Sequence, residues 1–134
     1  MKTILVEISF GELLDKISIL EIKKEKITDT NKLKIINHEL KILKFQFDDF
    51  SKTNTDKSND ELNKLYLSLK KINNKLWDIE DNKRMCEKKS DFGEKFIELS
   101  RNVHFLNDER SKIKLEINNY TGSKIKEVKQ YTSY

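Results

Sequence analysis

The sequence predicts an all-α protein: an up-down four-helix bundle, or long helical hairpins, with a short extended segment in front and a basic tail behind. Three observations carry this. Proline is absent from all 134 residues, and the three glycines, Gly11, Gly93 and Gly122, fall at expected helix ends. Periodic segments without breakers inside them read as helices. Charged residues (37%) nearly balance hydrophobic ones (36%), which suits long, solvent-washed amphipathic helices better than an α/β core. Finally, three of the four apolar stripes are preceded by a capping-box pattern.

Thr3–Ile8 is a β-prone entry segment, with Ile4, Leu5, Val6 and Ile8 crowded together. A lone strand is unstable by itself, so it should pack over the helices or pair with a copy of itself across a dimer. Ser9-Phe10-Gly11-Glu12 is an S-x-x-E box that starts a first helix running to about Thr28. Asp29-Thr30-Asn31 is turn chemistry. The second helix then runs from about Asn31 to Phe50, with Leu33, Ile36, Leu40, Leu43, Phe47 and Phe50 on one stripe.

Residues 51–59 form the one convincing loop. Ser58 with Glu61 makes a second box, and the third helix spans about Asn59 to Lys88. Its seam is Leu62, Leu65, Leu69, Ile72, Leu76 and Ile79. Asp91 with Glu94 is the third box, opening a helix that reaches about Thr121. Phe96, Leu99, Val103, Leu106, Ile113, Ile117 and Tyr120 are its stripe, and Gly122 is the stop. Residues 1–122 then make a single helical domain and residues 123–134 the tail. Ile19 and Ile22 on the first helix, and Ile35, Ile42 and Phe45 on the second, lie off the main stripes. A helix apolar on two sides must bury both. Either these helices sit centrally or a second subunit covers them, and a homodimer is expected.

Cys86 is the only cysteine, which excludes an internal disulfide and a cysteine-based zinc site. It reads as a half-buried thiol; His38 and His104 lie far off in sequence and form no Cys–His pair with it. No GxxxxGKS, HExxH or GxSxG pattern is present, so no metal and no cofactor are expected. The apolar run at the N-terminus is too short for a signal peptide or a membrane span, and a cytoplasmic location is the default. The net charge of +4 is uneven: residues 111–134 carry five lysines against Glu116 and Glu127, a net +3. Lys124, Lys126 and Lys129 with Tyr131 and Tyr134 have the basic-plus-aromatic flavour of nucleic-acid contacts. Without a clustered basic face, nucleic acid is disfavoured. A solvated tail, or one docked through Ile125 and Val128, is the expectation.

Only three of the 27 basic residues are arginine: Arg84, Arg101 and Arg110. In a Lys-, Ile- and Asn-rich chain arginine is the marked choice, because its planar fork grips a carboxylate or phosphate bidentately. At about 100° per residue, the third-helix seam continues past Leu76 into Glu80, Lys83, Arg84 and Glu87. On the fourth helix Arg110 falls within the stripe, flanked by Asn107 and Lys114. On the first, Glu21 lies between Leu14 and Ile17, and Lys24 is level with Ile17. Charge on a buried stripe demands a partner. Glu80 and Glu21 are the internal candidates to face Arg110 and Lys114, and an anionic ligand is the external one. The candidate site is therefore Glu21, Lys24, Glu80, Arg84, Asn107, Arg110 and Lys114, read either as a register-fixing ion network or as a phosphate- or carboxylate-binding pocket. Arg101 is off the stripe, a surface residue within reach of Glu98; His104 is at the stripe edge, packed or capping. Trp77 reads as core at a helix shoulder.

The blocks Ile4–Lys23 (ILVEISFGELLDKISILEIK), Leu76–Arg84 (LWDIEDNKR), Phe92–Asn118 with FIELSRNVHFLNDER, and the ending EVKQY resemble a family of small bacterial proteins classed only as a domain of unknown function. The resemblance covers most of the chain apart from the second helix and its loop. It implies fixed polar residues at Glu7, Ser9, Glu12, Asp15, Lys16, Glu21, Trp77, Glu80, Asp81, Arg84, Arg101, Asn107, Asp108 and Arg110, and a tyrosine where this chain has His104. It also carries an association with surface-polysaccharide synthesis. The Lys/Asn-rich composition fits a marine bacterium or one of its phages.

Two functions follow as expectations. One is a dimeric interaction or scaffold module with a protein partner. The other is a small all-α enzyme or binding protein for an anionic metabolite, with Arg84, Arg110 and Lys114 holding charge and Glu80 or Glu21 as base.

Overall fold

The computed structural model describes residues 2–53 and 59–134, and its four helices are α1 (Phe10–Lys26), α2 (Thr30–Thr53), α3 (Asn59–Lys88) and α4 (Glu94–Thr121). The protein is all-α, a four-helix arrangement with no strand among the described residues. Residues 54–58, which hold most of the predicted loop and Ser58 of the second capping box, lie outside the described residues.

α1 is central. It packs against α2, α3 and α4, α3 packs on α4, and among the described helices α2 makes its close backbone contacts with α1 alone. Glu21–Tyr66, Glu25–Lys70 and Lys26–Asp78 advance together along α1 and α3, so these run the same way. Phe10–Ser123, Gly11–Asn118 and Glu12–Lys114 set α4 in the opposite direction. That is the up-down order. The central place of α1 explains its off-stripe Ile22, which is fully buried. It does not extend to α2, whose Ile35, Ile42 and Phe45 remain exposed. The core joins Leu14, Ile17 and Leu20 of α1 to Ile36 and Leu40 of α2, Leu62 and Leu69 of α3 and Ile117 of α4.

Helix ends explain the boundaries. The Ser9 hydroxyl oxygen accepts from the Glu12 N–H at 3.1 Å, as a capping box requires. The Glu12 carboxylate does not return the bond; it is drawn away to Lys114 on α4. Asp29 caps α2 by accepting from the Lys32 N–H at 2.8 Å. The predicted cap of α4 is corrected: Gly93 is the N-cap residue, and Asp91 Oδ1 accepts from the Gly93 N–H within a local turn. The turn leaving α3 places Ser90, not a glycine, in the left-handed region at φ 52°. Gly122 does close α4, at φ 68°, with its own N–H and that of Ser123 both donating to the Asn118 carbonyl.

The entry segment neither forms a strand nor packs over the helices: Ile4, Leu5 and Val6 are exposed. Residues 123–134 have no helix, yet they lie along α4. Their contacts are polar and aromatic rather than the predicted Ile125 and Val128. Lys126 donates to Asn119 at 2.8 Å, Glu127 reaches Lys114, and Tyr134 bonds Asp108 and packs edge-on against Phe105 and His104. Val128 is 87% exposed.

Candidate functional site

The charges on the seams of α3 and α4 meet a ladder of polar groups that crosses the core beside α1. Its first rungs satisfy the free amides that any helix N-terminus leaves. The Phe10 N–H donates to Ser123 Oγ at 3.2 Å, and the Gly11 N–H to Asn118 Oδ1 at 2.7 Å. The next rung is Lys114, only 10% exposed at its side chain, with Glu12 at 2.6 Å, Asp15 at 3.4 Å and Glu127 at 3.3 Å. Burial opposes the Lys114 charge, but the three carboxylates outweigh it and hold its pKa above the ordinary lysine value. Asn73 follows. Its amide donates to Asp15 Oδ1 and Ser18 Oγ, both at 2.7 Å. All three groups are buried. Arg110 ends the ladder by donating to Asn73 Oδ1 at 3.3 Å.

Beyond that last rung a cleft opens between α1, α3 and α4. Ile19, Ile22 and Leu76 give it apolar surface, Trp77 stands at its wall, and Glu80, Asp81, Arg84 and Arg110 supply its charge. Its volume is about 450 Å³. Arg84 Nη1 is held by Glu80 Oε2 at 2.9 Å, one helical turn away. Arg110 has no carboxylate within 4 Å among the described residues; a neutral amide is its hydrogen-bond partner.

The seven sequence candidates thus divide. Glu80, Arg84 and Arg110 line one cleft. Lys114 belongs to the buried ladder. Asn107 is half-buried, and its Oδ1 has no hydrogen-bond partner among the described residues. Glu21 lies in a separate cluster, where Tyr66 donates to it at 2.6 Å and Lys44 and Lys70 sit at 2.9 and 3.2 Å. Burial pushes the Glu21 carboxyl upward, but the hydrogen bonds from Tyr66, Lys44 and Lys70 prevail and lower it. Burial and then Glu21 itself push the Tyr66 hydroxyl well up. Lys24 is exposed. Neither Glu21 nor Glu80 is the acid that faces Lys114; Glu12, Asp15 and Glu127 are. Arg101 is exposed, as expected, but it lies over the Phe105 ring at 5.9 Å instead of pairing with Glu98.

Sequence reasoning passed over Asp15, Ser18, Asn73 and Asn118 as site residues. The signal was available: short polar side chains at seam positions, such as Asn73 between Leu69 and Leu76. Among the described residues, no helix is long and apolar enough to cross a membrane, and no group of three or more His, Cys, Asp or Glu could hold a metal ion.

A family model matches residues 4–134, almost the full length. The chain belongs to that family, DUF6165, a family of unknown function. No curated protein and no solved structure matches it. In this DUF6165 chain the position where the resemblance implies tyrosine, His104, is exposed and packs tilted against Phe105 and edge-on against Tyr134, outside the cleft.

The ladder and the Glu21 cluster give this DUF6165 protein a definite pH dependence. Lys114 and Tyr66 have raised folded pKa values, so their contributions are complete below the ordinary values of about 10.5 and 10.0 and fade as pH rises beyond them. Glu21 is lowered, so its contribution is present above about 4.5 and is lost as pH falls through its depressed folded value. Urea midpoints measured from pH 3 to 11 should form a plateau that falls at both ends. Lys114→Met should flatten the alkaline fall, and Glu21→Gln the acid one.

Proposed function

We propose that the cleft between α1, α3 and α4 binds a small organic molecule bearing a phosphate or carboxylate. The observation that carries this is the contrast between two cations one turn apart on α4. Lys114 is surrounded by three carboxylates, whereas Arg110 faces the cleft with only a neutral amide against it. A half-buried guanidinium with unused donors is suited to a bidentate anion. Trp77, Ile19, Ile22 and Leu76 offer the apolar surface that would bury the rest of such a ligand, and the volume suits a small metabolite. Arg84 and Glu80, already paired, would bracket it.

Thermal melts with inorganic phosphate, dicarboxylates, sugar phosphates and nucleotide sugars test this. A ligand at 100 times its Kd stabilises the folded state by about 2.7 kcal/mol, and the midpoint should rise accordingly. Arg110→Ala should abolish that rise, while the ligand-free protein loses about 1 kcal/mol or less, in line with one long hydrogen bond. No shift from any of these anions, or a shift retained in Arg110→Ala, refutes the reading.

A second reading, an interaction module that associates through its surface, is favoured by a different observation: the apolar residues on the side of α2 that α1 does not cover.

A further inference from the structure

α2 carries two faces of different character. Ile36 and Leu40 on one side are buried in the core, with Leu43, Phe47 and Phe50 packed against it. On the opposite side Asn31, Ile35, His38, Ile42, Phe45 and Asp49 follow one another at spacings of four, three, four, three and four residues. That is the alternation of a helix-pairing seam. All six are exposed, Ile35 at 70%, Ile42 at 49% and Phe45 at 68%. A single exposed leucine or isoleucine is ordinary on a protein surface. A heptad seam on the outer side of a helix whose close backbone contacts, among the described helices, are with α1 alone is not.

We infer that this seam is a homodimer interface, with α2 packed antiparallel on α2 of a second copy. The proposal rests on the interaction-module reading above and supplies its surface and orientation. The seam's own order selects the orientation. With the two-fold axis near residue 40, Ile35 meets the partner's Phe45, His38 meets the partner's Ile42, and Asn31 meets the partner's Asp49. Each pairing occurs twice, as two-fold symmetry requires. Ile42 then packs on the partner's His38 beside the axis, Ile35 and Phe45 pair on either side, and an amide donor meets a carboxylate at both ends. A parallel pair would instead stack Asp49 on Asp49 and His38 on His38, with the helix dipoles aligned. The seam covers roughly 27 Å of helix at about 1.5 Å per residue. One helix pair of that length falls short of the ~800 Å² per partner of a standard interface, so the dimer forms in a concentration-dependent equilibrium.

Sedimentation equilibrium across micromolar to millimolar concentrations, with the full chain, provides the test. The mass should rise from monomer toward dimer, and Phe45→Lys should weaken association at least tenfold with the circular-dichroism spectrum unchanged. For orientation, Ile35→Cys and Phe45→Cys are made separately, each with Cys86→Ala. Under mild oxidation neither alone should cross-link, because the matching positions lie about ten residues apart along the seam; the mixture should. A monomer at every concentration overturns both the seam and the module reading. A dimer indifferent to Phe45→Lys overturns the seam while leaving the module reading. Cross-linking of each cysteine variant with itself overturns the antiparallel arrangement. None of these outcomes touches the cleft.

Discussion

Replacing Lys114 with methionine should destabilise the protein by about 3–5 kcal/mol, the usual cost of removing one partner from a buried ion pair. The methionine stem fills much of the same space, so the loss is electrostatic rather than a cavity. What remains is Asp15, 5% exposed, with Asn73 still donating to one oxygen but no cation beside the other. Glu12 is a third exposed and can turn to water, so its share is small. Glu127 is nearly half exposed and loses little of its own. The expected remedy follows from the same reasoning. Adding Asp15→Asn to Lys114→Met removes the stranded charge and should recover a large part of the loss, because the amide can still face Asn73. Urea denaturation of the wild type, both single variants and the double variant closes the cycle. Should Lys114→Met cost less than about 1 kcal/mol, the ladder is not what fixes α4 on α1. Arg110→Ala, one turn away, serves as contrast with its much smaller expected loss.

The difference between those two positions shows where sequence reading succeeds. Leu62, Leu69, Leu76 and Ile117 announce buried faces because apolar side chains at helical spacing have one economical use. The same periodicity exposes Arg110 and Lys114 as charges on a stripe that should be oily. It finds the anomaly but not its partner, since the partner is fixed by how helices cross and not by position within one helix. Glu12 illustrates this well. Its place in a capping box is a local signal, correctly read for the helix start, but a lysine 102 residues away competes for the carboxylate and wins. Asn73 and Ser18 were harder still. Short polar side chains cost little on any face in a helical wheel, and only the approach of α1, α3 and α4 to one another turns them into a buried network. The entry segment, extended but not packed over the helices, is a related case. Ile4–Val6 has strand composition, but a strand needs an edge to pair with, and no strand stands among the described residues.

Gly11→Ala should destabilise by about 2–4 kcal/mol, reversing the gain of roughly 0.5–1 kcal/mol that alanine normally gives in a helix. Gly11 is a first-turn residue whose missing side chain is the space α4 occupies. A Cβ there would stand 2.6 Å from the Lys114 carbonyl oxygen and 2.9 Å from Asn118 Oδ1. The first of these is backbone inside a helix, so it cannot swing aside; α1 and α4 must separate instead. Separation strains the buried 2.7 Å bond from the Gly11 N–H to Asn118 and lengthens the Lys114–Glu12 contact. Overpacking of this kind costs about 1–3 kcal/mol, and an impaired buried hydrogen bond adds about 1–3 kcal/mol. Gly93 is the matched control. A Cβ there meets only Asp91 Oδ1 at 3.4 Å, an ordinary contact at an exposed turn. Gly93→Ala should therefore cost only about 0.5–1 kcal/mol, the preference for glycine over alanine at the N-cap of α4. Urea midpoints at constant slope compare the two variants directly. If Gly11→Ala matched Gly93→Ala, α4 would not lie against the first turn of α1, and the polar ladder that leads from that turn to the cleft would lose its first rung.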